Sequence, residues 1–375
     1  MVFIGYVKKW KNIHCFTAIA VNLPAGQGLR GTRRVYIREG QVWIMGNLID
    51  MHCDTISRLM NKPGESLRDN SLCVDIKGMK EAGTLVQFFA CFVNVQALSA
   101  KPAAAVRKGE ITKEAWDRGY EEVLAMAARI DKEQTEELKP ILSFEDILDN
   151  EREGIISSVK TVEEGGILNG NLGRLEQLYN RGIRLVTLTW NYPNCLGFPN
   201  SRERSDMQKG LTDLGIQAVK CMNQLGIIVD VSHLSDGGFW DCIQYSDMPI
   251  CASHSNAREL CPHPRNLSDE MLISLGNKGG VAGLNFYPPF LRAEKGAKIQ
   301  DIARHAAYII KVAGEETPAI GTDFDGFDYK EGDGWIRHVG DIGMVWEEMR
   351  KQGITERQLD KVMEGNARRI LKEVL

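Results

Sequence analysis

The stretch Leu48-Ile49-Asp50-Met51-His52-Cys53-Asp54 begins the part of the chain that decides the fold. It is a short, mostly apolar segment of strand length, and it ends in polar residues. Seven further segments of this kind follow it, so the sequence predicts eight strands. They are Leu48–Asp54, Thr84–Val93, Ser158–Glu164, Arg184–Trp190, Ile227–His233, Pro249–Ser255, Gly280–Tyr287 and Ala319–Asp325.

Segments with the 3.6-residue periodicity of helices lie between or after these strands. They are Lys113–Leu138, Leu172–Arg181, Leu211–Leu225, Asp269–Asn277, Ile299–Ala313, Met344–Gln352 and Glu356–Leu375. Alternating strands and helices indicate parallel βαβ units, and eight such units predict an α/β fold, a (β/α)8 TIM-type barrel. The alternative is a doubly wound open sheet. That fold usually has a Gly-rich loop after its first strand, and Cys53-Asp54-Thr55-Ile56 is not such a loop.

Composition excludes several classes of protein. The 375 residues are 43% hydrophobic and 26% charged, which is typical of a globular protein. A net charge of −4 argues against a dedicated nucleic-acid binder, which needs a basic surface. The sequence contains no run of 18 apolar residues, so it predicts no membrane helix. The nine cysteines form no CxxC pair, and we expect reduced thiols in a cytoplasmic protein.

The first 44 residues differ in charge from the rest of the chain. They hold seven Lys and Arg residues against one Glu, so this segment is basic and the remainder is acidic. The segment can be a signal peptide, a genuine basic tail, or an upstream extension of the reading frame with Met45 as the working start, and we favour the last. We therefore predict a basic extension over residues 1–44 and a single barrel domain over residues 45–375.

Polar side chains that can bind metals cluster at the carboxyl ends of the predicted strands, where TIM-type barrels place their active sites. His52 and Asp54 are two residues apart in a strand, so they point to the same face. The other candidates at strand ends are Glu163, Glu164, Asp230, His233, His254, Asp323 and Asp325. Of these, Asp325 stands beside Gly326, which favours a turn-capping role.

Imidazole and carboxylate donors without a cysteine cage suit Zn²⁺, with Mn²⁺ or Co²⁺ as possible substitutes. Five or more donors exceed the needs of one catalytic zinc ion, so two ions that share a carboxylate fit the count better. His263, on a loop between Pro262 and Pro264, is predicted to be solvated, and His305 and His338 are predicted to be structural or exposed.

The motifs at these strand ends resemble those of the membrane (renal) dipeptidase family of binuclear zinc dipeptidases. The protein is expected to be a bacterial-type soluble member of that family. They are Ile49-Asp50-Met51-His52-Cys53-Asp54-Thr55, Val162-Glu163-Glu164-Gly165-Gly166, Asp230-Val231-Ser232-His233, Ser253-His254-Ser255, Arg265-Asn266, Asn285-Phe286-Tyr287 and Gly321-Thr322-Asp323-Phe324-Asp325-Gly326. The resemblance implies a barrel of the metal-dependent hydrolase kind with two zinc ions per chain. It also implies hydrolysis of dipeptides, some with a C-terminal D-residue, by a zinc-bridged hydroxide.

The resemblance also implies roles for individual residues. The metal ligands are His52 and Asp54 for one ion, His233 and His254 for the other, and Glu164 as the bridge, with Glu163 as its rival. Asp323 matches the proton-transfer aspartate and Arg265 the arginine that binds the substrate carboxylate. Tyr287 lies in the segment that contacts the substrate, and we expect small dipeptide substrates and a homodimer.

One residue departs from the family pattern. Trp190 stands where animal members have a histidine that is thought to stabilise the oxyanion, and we predict that it contacts substrate. Two other functions stay open. One is another binuclear amidohydrolase, such as an N-acyl-amino-acid deacylase or a deaminase, and the other is a catalytically silent barrel that binds peptides.

Overall fold

The computed structural model describes residues 17–21, 33–38, 41–45, 47–294, 296–328 and 335–375. The first three ranges are strands β1 (Thr17–Val21), β2 (Arg33–Arg38) and β3 (Gln41–Met45), which pair antiparallel in that order. The predicted domain boundary at residue 45 falls on the last residue of β3. Most of the predicted basic extension lies outside the described residues.

Eight parallel strands close into a barrel, as the sequence predicted. The ring closes through the pairing of β5 with β7, and a short additional strand, β6 (Leu138–Pro140), pairs with the start of β7. The barrel strands are β4 (Leu48–Cys53), β5 (Thr84–Phe92), β7 (Ile156–Glu163), β8 (Ile183–Thr187), β9 (Ile228–Asp230), β10 (Cys251–Ala252), β11 (Val281–Leu284) and β12 (Pro318–Ile320).

Helices surround the barrel, and each segment predicted from periodicity contains one. They are α1 (Thr55–Leu59), α2 (Ile76–Ala82), α3 (Val95–Leu98), α4 (Ala103–Val106), α5 (Lys113–Lys132), α6 (Phe144–Glu153), α7 (Gly173–Asn180), α8 (Arg204–Met207), α9 (Asp213–Leu225), α10 (Asp236–Tyr245), α11 (Asp269–Asn277), α12 (Pro288–Leu291), α13 (Ile299–Ala313), α14 (Gly343–Lys351), α15 (Glu356–Asp360) and α16 (Asn366–Val374). The last predicted helix is divided, because a π-helical turn over Lys361–Gly365 joins α15 to α16. In the part of the chain that the structure describes, no helix has the length and apolar character needed to cross a membrane.

The barrel strands are buried on both faces. Every residue of β4, β7 and β8 is buried, since helices cover the outside of the sheet and side chains fill the inside. The buried carboxylate of Asp50 accepts hydrogen bonds from Thr322 N at 2.9 Å and from Gln87 Nε2 at 3.0 Å. These bonds tie β4 to its neighbours β5 and β12, and so fix the strand that ends in His52.

Candidate active site

Four strand ends bring five metal-capable side chains together at one mouth of the barrel. His52 and Asp54 lie at the end of β4, Glu163 ends β7, and His233 and His254 follow β9 and β10. Glu163 Oε1 lies 2.9 Å from His233 Nε2 and 3.5 Å from His254 Nε2, while its Oε2 lies 3.5 Å from His52 Nε2. Three sets of donor atoms lie close enough together to hold a metal ion. Two of them, His52–Asp54–Glu163 and Glu163–His233–His254, share Glu163, and the third is His52–His254–Asp323.

The prediction that Glu164 lies in the bridging position is wrong, and Glu163 lies there instead. Glu164 is buried away from the cluster, where its Oε1 accepts hydrogen bonds from Gly166 N at 2.9 Å and Asn194 Nδ2 at 2.7 Å. Its backbone has φ 119°, which starts the turn over Gly165–Leu168. Consecutive strand residues point to opposite faces, so only Glu163 faces the barrel interior.

Polar side chains behind the cluster orient two of the imidazoles. Ser253 Oγ lies 2.7 Å from His254 Nδ1 and donates to Asp230 Oδ2 at 2.7 Å. His233 Nδ1 lies 3.3 Å from Asn191 Oδ1. In both cases the Nδ1 atom is occupied and Nε2 faces the cluster, which is the usual arrangement around a histidine that binds a metal. Ser253 and Asn191 had no role predicted from the sequence.

The donor set fits divalent cations. Among the described residues, neither ring nitrogen of the buried His52 has a hydrogen-bond partner, and the Nε2 atoms of His233 and His254 face each other at 3.0 Å. Burial would raise the pKa of Glu163, but the charge of His52 and hydrogen bonds from the imidazoles hold it well below its usual value. Burial lowers the pKa of His233 to about 4, which leaves a neutral imidazole. An ionised carboxylate and a neutral imidazole are the forms of these side chains that bind divalent cations.

Asp323 lies beside this cluster in a constrained turn. Its backbone is left-handed, with φ 59°, and its N–H donates to His52 O at 3.1 Å. Asp323 Oδ1 lies 3.8 Å from His52 Nε2, and Asp323 Oδ2 accepts from Asn285 Nδ2 at 3.0 Å. Burial raises the pKa of Asp323 to about 7. The neighbouring Asp325 instead accepts from Thr55 Oγ1 at 2.6 Å and from Cys73 N at 3.0 Å, so its carboxylate joins distant segments rather than capping its own turn.

Arg265 reaches the cluster from a loop after β10. It is buried, and its Nη2 lies 2.9 Å from His233 Nε2 while its Nη1 donates to Ser255 Oγ at 3.2 Å. Its Nε has no hydrogen-bond partner among the described residues. Burial lowers the pKa of Arg265 to about 10, so the guanidinium is still charged at neutral pH. A buried cation with an unused donor can receive an anionic group.

A cavity of about 970 Å³ opens over the cluster. The predicted substrate residues Trp190, Tyr287 and Arg265 line it, together with Asp54, Glu163, His233 and Asp323. Trp190 packs edge-on against Phe92, with ring centroids 4.8 Å apart, and forms part of an aromatic wall. His52 and His254 lie beneath these residues in the cluster. The structure therefore gathers the predicted site residues in one pocket, except for Glu164, which faces away from the bridging position.

His305 has a structural role, as predicted, whereas His263 is half-buried and does not have the solvated position predicted for it. His305 is buried, accepts from Ala257 N at Nδ1 (3.2 Å) and lies 3.0 Å from Leu291 O through Nε2. His263 Nδ1 accepts from the backbone N–H of Arg265 at 3.2 Å. Burial lowers the pKa of both to about 4, so both are neutral supports of the surrounding loops.

Comparison with known proteins identifies the family of this chain. A model of the membrane dipeptidase family, peptidase family M19, matches residues 39–375. The chain belongs to this family. The match confirms the resemblance of the motifs, and it covers all the site residues described above.

Similar proteins and structures agree with this assignment. An uncharacterised dipeptidase of Schizosaccharomyces pombe is 31% identical over 308 residues, which are 80% of this chain and 71% of that protein. A metallopeptidase of Rhodobacter sphaeroides, solved with a phosphinate mimic of the dipeptide L-Ala-D-Ala, superimposes with a TM-score of 0.76. It is 26% identical, and the match covers 88% of this chain and 100% of that one. The protein is a metallodipeptidase with a TIM-barrel fold.

Proposed function

We propose that this metallodipeptidase binds two Zn²⁺ ions, one on each side of Glu163, and accepts dipeptides with a C-terminal D-residue. The observation that supports this most directly is the placement of the Glu163 carboxylate. One oxygen faces His233 and His254, and the other faces His52. A carboxylate with ligands on both sides suits a pair of ions rather than a single one.

His52, Asp54 and Glu163 would hold one ion, and Glu163, His233 and His254 the other. When bound, the ions supply a water nucleophile of lowered pKa and polarise the scissile carbonyl. The surrounding protein side chains hold the ligand side chains in place for this reaction. Ser253 and Asn191 hold two of the imidazoles in the ligand orientation, and Asp54 adds negative charge on the side of His52.

Asp323 moves the proton in this proposal. Its carboxylate borders the cluster, and Asn285 holds Oδ2, so the other oxygen is directed toward the reacting atoms. Asp323 takes the proton of the attacking water and returns it to the nitrogen of the leaving amine. A carboxyl group with a pKa near 7 is suited to both steps at neutral pH.

Arg265 selects short substrates by binding the C-terminal carboxylate. Arg265 lies beside His233 and His254. The distance between the terminal carboxylate of a substrate and its scissile bond can therefore be no more than the length of one residue. This distance suits a dipeptide and excludes the interior of a longer chain. Trp190 and Tyr287 also line the cavity. The homodimer implied by the resemblance stays a prediction.

A substrate panel tests this proposal. We expect hydrolysis of L,L- and L,D-dipeptides, and a kcat/KM at least about 100-fold lower for the matching tripeptide, because its carboxylate lies beyond Arg265. N-acetyl amino acids serve as the comparison for the deacylase alternative. If these are cleaved faster than every dipeptide, the proposed substrate class is wrong.

A further inference from the structure

The loop that presents Arg265 has little regular structure of its own. It runs from Ser255 to Leu267, between β10 and α11, and its two ends are joined by the hydrogen bonds of Leu267 N to Asn256 O and of Arg258 N to Leu267 O, both 2.8 Å. Within the tip of the loop, Pro262–Asn266, Asn266 N donates to His263 O at 3.0 Å, and Asn266 Nδ2 donates to Phe290 O at 2.8 Å. The backbone on both sides of Arg265 has a further support from outside the tip.

Arg258 provides that support through four hydrogen bonds of its guanidinium group. Its Nε donates to Asn266 O at 2.8 Å and its Nη2 to Pro264 O at 3.3 Å, so it holds the carbonyls on both sides of Arg265. The same guanidinium forms a two-pronged ion pair with Asp236, with both N–O distances 2.7 Å. Only a planar guanidinium can make all these bonds at once.

Asp236 connects this support to the barrel frame. It is the first residue of α10, which follows the loop that carries His233, and Ser235 caps the helix by accepting from Gly238 N at 3.1 Å. The Arg258–Asp236 pair is about one quarter exposed on each side. Arg258 is not among the described residues that line the active-site cavity. It is therefore placed to act on the substrate only through Arg265.

We propose that Arg258, anchored by Asp236, is a positioning residue that sets the affinity for the free C-terminal carboxylate of the substrate by fixing the loop of Arg265. This inference rests on the proposed role of Arg265. Without the Arg258 side chain, the loop tip can shift, and the guanidinium of Arg265 no longer meets the substrate carboxylate. The metal cluster itself keeps its structure. The expected result is a higher KM with little change in kcat for dipeptides.

The test compares L-Ala-L-Ala with L-Ala-L-alaninamide, which has the same scissile bond and no terminal carboxylate. The measured quantity is the ratio of kcat/KM for the acid to kcat/KM for the amide. We expect Arg265→Met to lower this ratio about 100-fold and Arg258→Met to lower it about 10-fold. In Arg258→Met, kcat/KM for the amide should stay within about twofold of the wild-type value. Asp236→Asn, which keeps the shape of the side chain, should lower the ratio in the same direction.

A double variant separates positioning from general destabilisation. If Arg258 acts through Arg265, adding Arg258→Met to Arg265→Met should cause no further loss in the ratio. Arg350→Met is the matched control, because Arg350 forms a similar two-pronged pair with Glu356 at 2.6 and 3.1 Å between α14 and α15. This control should keep the wild-type ratio.

The outcomes distinguish this inference from the proposal beneath it. A ratio that Arg265→Met leaves unchanged would remove Arg265 from carboxylate binding. A ratio that falls with Arg265→Met but not with Arg258→Met or Asp236→Asn would overturn the positioning role alone. Equal losses for the acid and the amide in Arg258→Met would also overturn it, and should Arg258→Met not fold, Asp236→Asn decides.

Discussion

Glu163→Gln is expected to lose most of the bound metal and at least about 10³-fold in kcat/KM, the equivalent of several kcal/mol of transition-state stabilisation. In the part of the chain that the structure describes, Glu163 is the one carboxylate within 3.5 Å of all three imidazoles of the cluster. A neutral amide has one acceptor oxygen, so it can face only one side of the site. The metal content of the purified variant and its rate of dipeptide hydrolysis measure both losses.

The neighbouring Glu164→Gln is the control for this experiment. Glu164 accepts from Gly166 N and Asn194 Nδ2 through Oε1, which an amide oxygen can also do. Burial raises the pKa of Glu164 to about 7, so the loss of its charge is a small change at neutral pH. We expect this variant to keep its metal and an activity near that of the wild type. The reverse pattern, with metal lost only from Glu164→Gln, would contradict the placement of these two residues.

Asp323→Asn is expected to keep its metal and to lose about 10²- to 10⁴-fold in kcat, the usual contribution of a positioned general acid or base. The amide oxygen can still accept from Asn285, so the fold of the turn is maintained, but the side chain can no longer take up and release a proton. KM should change little, because Arg265 still binds the substrate carboxylate. Steady-state kinetics with metal analysis of the same sample gives both quantities.

Asp325→Asn is the matched control for Asp323, two residues along the same turn. Asp325 accepts from Thr55 Oγ1 and Cys73 N, so its substitution should affect stability more than catalysis. An Asp323→Asn variant with a wild-type kcat would remove Asp323 from the proton transfer.

The sequence predicted the barrel because each strand is a continuous buried run between amphipathic helices. It predicted the ends of the strands less well. β10 has only two residues with strand pairing, although Pro249–Ser255 has the composition of a full strand. The helix α10 was not predicted, since Gly237 and Gly238 in its first turn interrupt the apolar periodicity that identifies other helices.

The choice between Glu163 and Glu164 shows why part of the site could not be predicted. In a strand, a shift of one residue reverses the face to which a side chain points, and both residues are glutamates at the end of β7. What separates them is the left-handed backbone of Glu164 and its bond to Asn194, which lies 30 residues further along the chain. The contact of Arg258 with Asp236, across 22 residues, is likewise a product of the folded loops.

Titration of metal-free protein with Zn²⁺ tests the central claim most directly. The rate of L-Ala-D-Ala hydrolysis is measured after each addition to protein that has been stripped of metal with a chelator. We predict no measurable hydrolysis without metal and a rate that rises until two equivalents are bound. Hydrolysis at the full rate by metal-free protein would contradict the account, and a plateau at one equivalent would contradict the pair of ions around Glu163.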